Sequence, residues 1–247
     1  MKKGLLAGGI ALALIAGTAL LLIGNLNTIV KKGIETVGPK ILQAPVRLAD
    51  VILDVASGSG ELSGLIVGNP QGFKTDYAFQ LDQIMIELDV ASATSDKVHI
   101  KKIIIKSPNI VYEGILGNNN LKQLQANAQS FKKPGKEQPA NSKTSGKKVQ
   151  IDLLKIEKGS ISVSTALLQG KKLTIPLPPL ELKDIGKNKD ATMADALALV
   201  LTAINKAAIP AVQSGLSVVG EGAKEVGTVL QEGAEKGLNT VKGLFGN

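Results

Sequence analysis

A single imidazole and a scatter of carboxylates are the only side chains here with the makings of a reaction centre. His99 stands between Val98 and Ile100, so on a strand it points to the polar face. A metal or general-base role needs company, and the chain has no second histidine and no cysteine to supply it. Ser59 lies in Gly58-Ser59-Gly60, which lacks the G-x-S-x-G strand-to-helix turn of a nucleophile elbow. Ser145-Gly146-Lys147-Lys148 lacks the rest of a phosphate-binding loop. Asp82, Glu87 and Asp89 share one strand region and read as a solvated face. No catalytic residue, metal ligand or cofactor is expected, and the chain reads as non-enzymatic.

The elements around these residues follow strand period first and helix period later. Lys31 to Ala44 reads as a short helix interrupted by Gly33, Gly38 and Pro39. Strands are expected at Val46–Leu48, Val51–Val55 and, after the turn Ser57-Gly58-Ser59-Gly60, at Glu61–Val67. Within Tyr77–Val90, Phe79 and Leu81 share one face, and Ile84, Ile86, Leu88 and Val90 alternate after a one-residue slip. Val98-Ile100 and Ile103-Ile105 slip in the same way. A slip of one residue swaps faces, so each predicts a bulge or bend. Ile110 and Tyr112 carry a further strand, and Asn120–Gln129 a short helix.

The alternation resumes at Val149, Ile151 and Leu153, then Ile156, Ile161 and Val163. Leu173, Ile175 and Leu177 run into Pro176-Leu177-Pro178-Pro179, which marks an edge or an exit from pairing. Leu180, Leu182 and Ile185 close the sheet. One apolar and one polar face throughout predict an antiparallel sheet curved by bulges.

The two ends are of another kind. Gly4 to Gly24 carries no charge and follows Lys2 and Lys3. About 20 apolar residues span a hydrocarbon core of roughly 30 Å. The run exceeds the roughly 7–15 residues of a signal-peptide core and ends in Leu20-Leu21-Leu22-Ile23, so an uncleaved anchor is favoured over a cleaved signal. Lys31 and Lys32 nearly balance the N-terminal lysines, and an N-in orientation is expected with the body exported. Ala191 to Ile209 reads as an apolar helix opened by a Thr192-x-x-Asp195 capping box and stopped by Pro210. Asp195 and Lys206 favour packing on the sheet over crossing a bilayer. Beyond it, Gly220–Leu230 aligns with Gln231–Val241 at a period of 11, giving about 3.67 residues per turn. That stripe suits a helix lying on the sheet or on a partner, and equally a reversible helix at a lipid surface. Its candidate membrane-surface residues are Leu216, Val219, Val226, Leu230, Leu238, Val241 and Leu244.

The formal charge of +8 is concentrated: residues 129–148 hold six lysines against Glu137. A tract that is also rich in Pro, Ser, Asn and Gly reads as a solvated linker, with anionic lipid contact as the alternative. Aromatics are only 2% and tryptophan is missing, so base-stacking platforms are lacking and no nucleic-acid partner is expected.

The run from Ser57 to Val90, followed by Ser95 to Glu113, resembles AsmA-type envelope proteins. Gly60, Leu62, Leu65, Asn69, Pro70, Gly72, Phe73, Ser95, Asp96, Ile100, Pro108 and Tyr112 match that pattern, which covers roughly residues 1–186. The resemblance implies an inner-membrane single-pass anchor, a β-rich body in the periplasm and phospholipid as the partner; the chain is far shorter than the large relatives that bridge the periplasm.

The expected fold is α+β: an N-terminal transmembrane helix (1–26), a curved antiparallel sheet forming a partial barrel or groove (27–128 and 149–190), a Lys-rich linker (129–148) and C-terminal amphipathic helices (191–247). Phe79, Leu81, Ile84, Ile86, Leu88, Ile103 and Ile105 are the candidate lipid-groove residues. The expected function is binding or assisted transport of membrane lipid in envelope biogenesis; the alternative is a non-enzymatic scaffold docking an envelope protein partner or a membrane surface.

Overall fold

A computed structural model describes residues 25–115, 117–131, 148–165, 168 and 173–221. The expected anchor lies outside the described residues, as do most of the Lys-rich tract and the 11-residue repeat. The chain opens with helix α1 (Leu26–Leu42). Strands β1 (Val46–Arg47), β2 (Asp50–Asp54), β3 (Ser59–Val67), β4 (Phe79–Leu88), β5 (Lys97–Lys106), β6 (Asn109–Ile115) and β7 (Asn118–Asn119) follow. Helix α2 (Asn120–Ser130) precedes β8 (Lys148–Glu157), β9 (Ser160–Ser164), β10 (Leu173–Pro176), β11 (Leu180–Ile185) and β12 (Ala191–Thr192). Helix α3 (Met193–Glu221) ends the described chain.

The fold is α+β, with a curled half-barrel sheet, but the sheet is mixed rather than antiparallel. β5 runs parallel to β8, with Ile105 beside Ile156, and β6 runs parallel to β9, with Tyr112 beside Val163. Parallel neighbours need a long crossover. The chain between β7 and β8, α2 included, supplies it, whereas alternation within each strand is blind to direction.

Six bent courses make up the body of the sheet: β1–β2, β3, β4, β5–β6, β8–β9 and β10–β11. Their bends fall in one line. Ala49, Gly64, Asp82, Ser107, Lys158 and Pro178 lie where successive ladders skip a pairing. Gly64, Ser107 and Lys158 have φ of 62°, 49° and 54°. Main-chain bonds bridge the line, including Ser107 N–H to Glu157 O at 2.8 Å and Leu177 N–H to Gly159 O at 2.8 Å. In every course the buried or core-packed apolar positions flanking the line are an odd step apart: Leu48 and Val51, Leu62 and Leu65, Leu81 and Ile84, Ile105 and Ile110, Ile156 and Ile161, Leu177 and Leu180. Because strand side chains alternate with period two, an odd step returns each course to the core only if its backbone turns over at the bend.

A second, shorter line passes through Lys101, Asp152 and Asp184, the last with φ of 55°. It turns over β5, β8 and β11 between Ile100 and Ile103, Ile151 and Leu154, and Leu182 and Ile185. Leu153, which the alternation places on the apolar face, therefore lies on the other face and Leu154 is buried.

Both sheet edges are covered or blunted. Along β1–β2, Glu35 of α1 accepts the Leu48 N–H at 2.9 Å and Lys31 Nζ donates to Ala49 O at 2.8 Å. Along β10–β11, Pro176, Pro178 and Pro179 remove donors at the bend. α1 is one unbroken helix through Gly33, Gly38 and Pro39; Gly38 lies against Val46, where a Cβ would come within 3.0 Å.

α2 packs on α1, β6 and β7, and α3 packs on α2, β8, β10, β11 and β12. The capping box holds: Thr192 N–H reaches Asp195 Oδ2 at 2.7 Å and Asp195 N–H reaches Thr192 Oγ1 at 3.3 Å. Pro210 does not end the helix, which continues to Glu221. The proline forfeits one helical bond, and the wholly buried Ala207, Ala208, Ala211 and Val212 on either side of it keep the helix packed on its neighbours. Met193–Ser217 is long and apolar enough to cross a membrane, yet 56% of its most apolar window is buried inside the protein.

Gly64→Ala is expected to destabilise the fold by about 1–3 kcal/mol, since the left-handed backbone disfavours a side chain and the new Cβ would lie 2.8 Å from Ala49 Cβ. Gly33→Ala, in α1 with open space around it, should instead stabilise by up to about 1 kcal/mol. Urea denaturation of the two variants reads both signs.

Candidate functional site

The first bend line divides the sheet into a far half (β1, β6, β9, β10) and a near half (β2, β5, β8, β11). The near half presents apolar rows to the core. One row joins Leu62, Ile84, Ile105, Ile156 and Leu180 by register; the next joins Ile86, Ile103, Leu154 and Leu182, and a third Leu88, Ile100, Ile151 and Ile185. Cover over these rows is unequal. On β8 and β11, beneath α3, Leu154, Leu182, Ile151 and Ile185 are buried. On β4 and β5, Ile86, Leu88, Ile100 and Ile103 are only partly buried, as are Val98 and Leu53. An apolar lane thus runs along β4 and β5 beside the helix that covers the rest.

The residues expected to line a groove divide accordingly. Ile86, Leu88 and Ile103 lie in the lane. Ile84 and Ile105 are buried in the row at its head, and Phe79 is buried in the far half, paired with Val67 and Ile110. Leu81 pairs with Leu65 at the bend, partly buried against the core. Ile100, Val98 and Leu53 were not among the expected residues; Ile100 shares the strand alternation of Val98, which is the signal that carries it. Of the expected membrane-surface residues, Leu216 packs partly buried against the core. Val219 falls in α3, and Val226, Leu230, Leu238, Val241 and Leu244 lie outside the described residues.

α3 meets α2 through a polar seam. Gln125 Nε2 donates to Thr202 Oγ1 at 2.9 Å, and Asn205 Nδ2 donates to Gln125 Oε1 at 2.7 Å and to Leu121 O at 3.2 Å. Asn205 Oδ1 is buried without a partner among the described residues. An orphaned buried acceptor costs about 1–3 kcal/mol, so this helix contact is weaker than its area suggests.

His99 is not alone on the polar face. Its Nε2 lies 2.7 Å from Asp152 Oδ2 and its Nδ1 lies 3.7 Å from Asp89 Oδ2. Hydrogen bonds from Gln150, then from His99, hold the Asp152 carboxyl below its ordinary value. The Ser92 hydroxyl donates to Asp89 O at 2.6 Å and accepts the His99 N–H at 2.8 Å, so its contacts are with backbone and not with the ring. Asp89 also caps the short turn Val90–Thr94. The imidazole ties β5 to β8, and no cluster of three metal-ligating side chains occurs among the described residues.

The loop that follows β3 is held by a buried amide. Asn120, at the start of α2, donates to Asn69 Oδ1 and to Val111 O, both at 2.8 Å, and accepts the Glu113 N–H at 2.9 Å. Asn69 donates to Thr75 O at 2.7 Å. The Glu113 carboxylate accepts Lys74 N–H, Thr75 N–H and Thr75 Oγ, each at 2.7 Å. Tyr112, wholly buried, accepts from Asn119 at 3.2 Å and donates to Ile115 O at 3.1 Å. Of the motif quoted above, Asn69 thus joins Asn120 and Thr75 in this clamp, while Tyr112 bonds Asn119 and Ile115 beside it.

The chain matches no family model, no curated protein and no solved structure in comparisons with each.

Burial pushes the Glu113 carboxyl up, but the hydrogen bonds from Thr75 and Lys74 outweigh it and leave the group below its ordinary 4.5. A depressed carboxyl contributes stability that is full above the unfolded value and is lost as pH falls through the folded one. Glu113→Gln should therefore lose stability near neutrality and show a shallower loss on acidification below about pH 4.5. Thermal melts between neutral and acid pH give the comparison.

Proposed function

We propose that this is a non-enzymatic, membrane-anchored envelope protein that binds lipid, or helps to move it, by seating an acyl chain in the lane along β4 and β5. The observation that carries this reading is the unequal cover of one apolar face: buried beneath α3 on β8 and β11, and partly open on Ile86, Leu88, Ile100 and Ile103. An acyl chain laid there removes apolar surface from water at about 25 cal/mol per Å² without displacing any strand.

Two further features support it. α3 has the length and hydropathy of a membrane-crossing helix while serving as a cover. Its seam with α2 carries the orphaned Asn205 acceptor, which lowers the work of lifting it. The uncharged run Gly4–Gly24 would hold the body against a bilayer, with the inner membrane and a periplasmic body implied by the AsmA-like motif. A second reading, a scaffold that docks an envelope protein, is favoured by the burial of Phe79, Ile84 and Ile105.

The two separate on direct labelling. The full chain, reconstituted with a phospholipid bearing a photoactivatable acyl chain, should form adducts within residues 86–103. Ile103→Glu should cut their yield by about tenfold, the scale of one lost apolar contact. Adducts confined to residues outside the lane, or unchanged by the substitution, would favour the scaffold.

A further inference from the structure

We infer that the corner where β2 turns into β3 is a bilayer-docking rim, on the sheet face that alternates with the lane. Large apolar side chains gather there without cover. Ile52 on β2 is 58% exposed, Val55 just after it 40%, and Val90 38%. They belong to one corner: Gly58 N–H bonds Asp54 O at 2.9 Å, Leu88 N–H bonds Gly58 O at 2.8 Å, and a Cβ on Gly58 would lie 3.0 Å from Val90 Cγ2. Beside them, on the face opposite the lane, is a shallow concavity of about 580 Å³ lined in part by Met85 and Ile104. Scattered exposed apolar residues are ordinary; a contiguous group marks an interaction surface.

The occupant follows from where the chain comes from. α1 runs antiparallel to β1–β2, with Glu35 at Leu48, Lys31 at Ala49 and further packing along β2, so its first turn lies toward the near half of β2. The uncharged run Gly4–Gly24 joins that turn directly at Asn25. A bilayer that holds the run is therefore next to β2, and Ile29 in that first turn of α1 is 48% exposed. Asp54, Glu61 and Glu87 border the concavity against Lys102, so attraction to anionic head groups is absent and the rim engages by apolar burial. Salt should leave the contact unchanged, unlike one made by the Lys-rich tract.

The inference rests on the lipid reading only through the shared membrane anchor. With no native cysteine, single cysteines replacing Ala13, Ile52, Val55 or Ile115 in the full chain can each carry a bimane label. Ile115, also 58% exposed but in the far half, matches Ile52 in exposure. In nanodiscs of zwitterionic phosphatidylcholine with brominated acyl chains, labels at Ala13, Ile52 and Val55 should lose most of their emission while the Ile115 label keeps its own. Quenching at Ala13, with Ile52 and Val55 no more affected than Ile115, overturns the rim and leaves the lipid reading standing. No quenching at Ala13 overturns the anchor and the rim together, whereas photo-adducts in the lane still decide lipid binding.

Discussion

The structure depends on one geometric constraint: a strand whose apolar residues are an odd step apart must turn over to keep them in the core. Six neighbouring courses carry such a step at matched positions, and their bends form a single line across the sheet. A lone bend would tear its ladders, because its neighbours' side chains would remain on the original face. Placed in register, the six bends leave the hydrogen bonding nearly intact and fold the sheet as a unit. The left-handed residues Gly64, Ser107 and Lys158 absorb the turn, and only the first of them is a glycine.

That fold line also decides what the helices can reach. α1 follows the edge of β1–β2, α2 takes the far half at β6, and α3 crosses β8, β11 and β12. The three described helices do not cover the whole concave side. The uncovered strip falls on β4 and β5 of the near half, because none of the described helices packs on those strands there. The lane is thus a consequence of helix placement and not of strand composition, for Ile103 and Leu154 are neighbours in one row and differ only in what lies above them.

Polar groups are spent on holding elements in place. Asn120, Asn69 and Glu113 fasten the loop after β3 to β6 and the start of α2, and satisfied buried amides of this sort specify one arrangement against its near alternatives. His99 joins β5 to Asp152 on β8 across the parallel pairing. The Asn205 seam is the exception, since its acceptor is left unpaired in a helix interface. Polar residues therefore brace the sheet and the loop, while the interface of α3 with α2 is the least satisfied of the described contacts.

Much of this was legible in the residues alone. Period-two alternation located the strands, the slips at Leu81–Ile84 and Ile100–Ile103 marked two bends, and Thr192-x-x-Asp195 opened the last helix. Three apolar residues of the lane, Ile86, Leu88 and Ile103, were named by the same alternation. Local patterns report which face a side chain takes because backbone geometry is local. They do not report a neighbour's identity or direction, so the parallel pairings, the alignment of six bends and the partner of His99 emerged only with the fold. Pro210 within α3 and the unequal cover of the sheet were likewise decided by tertiary packing, since a helix's tolerance of proline and a side chain's exposure depend on what lies against it.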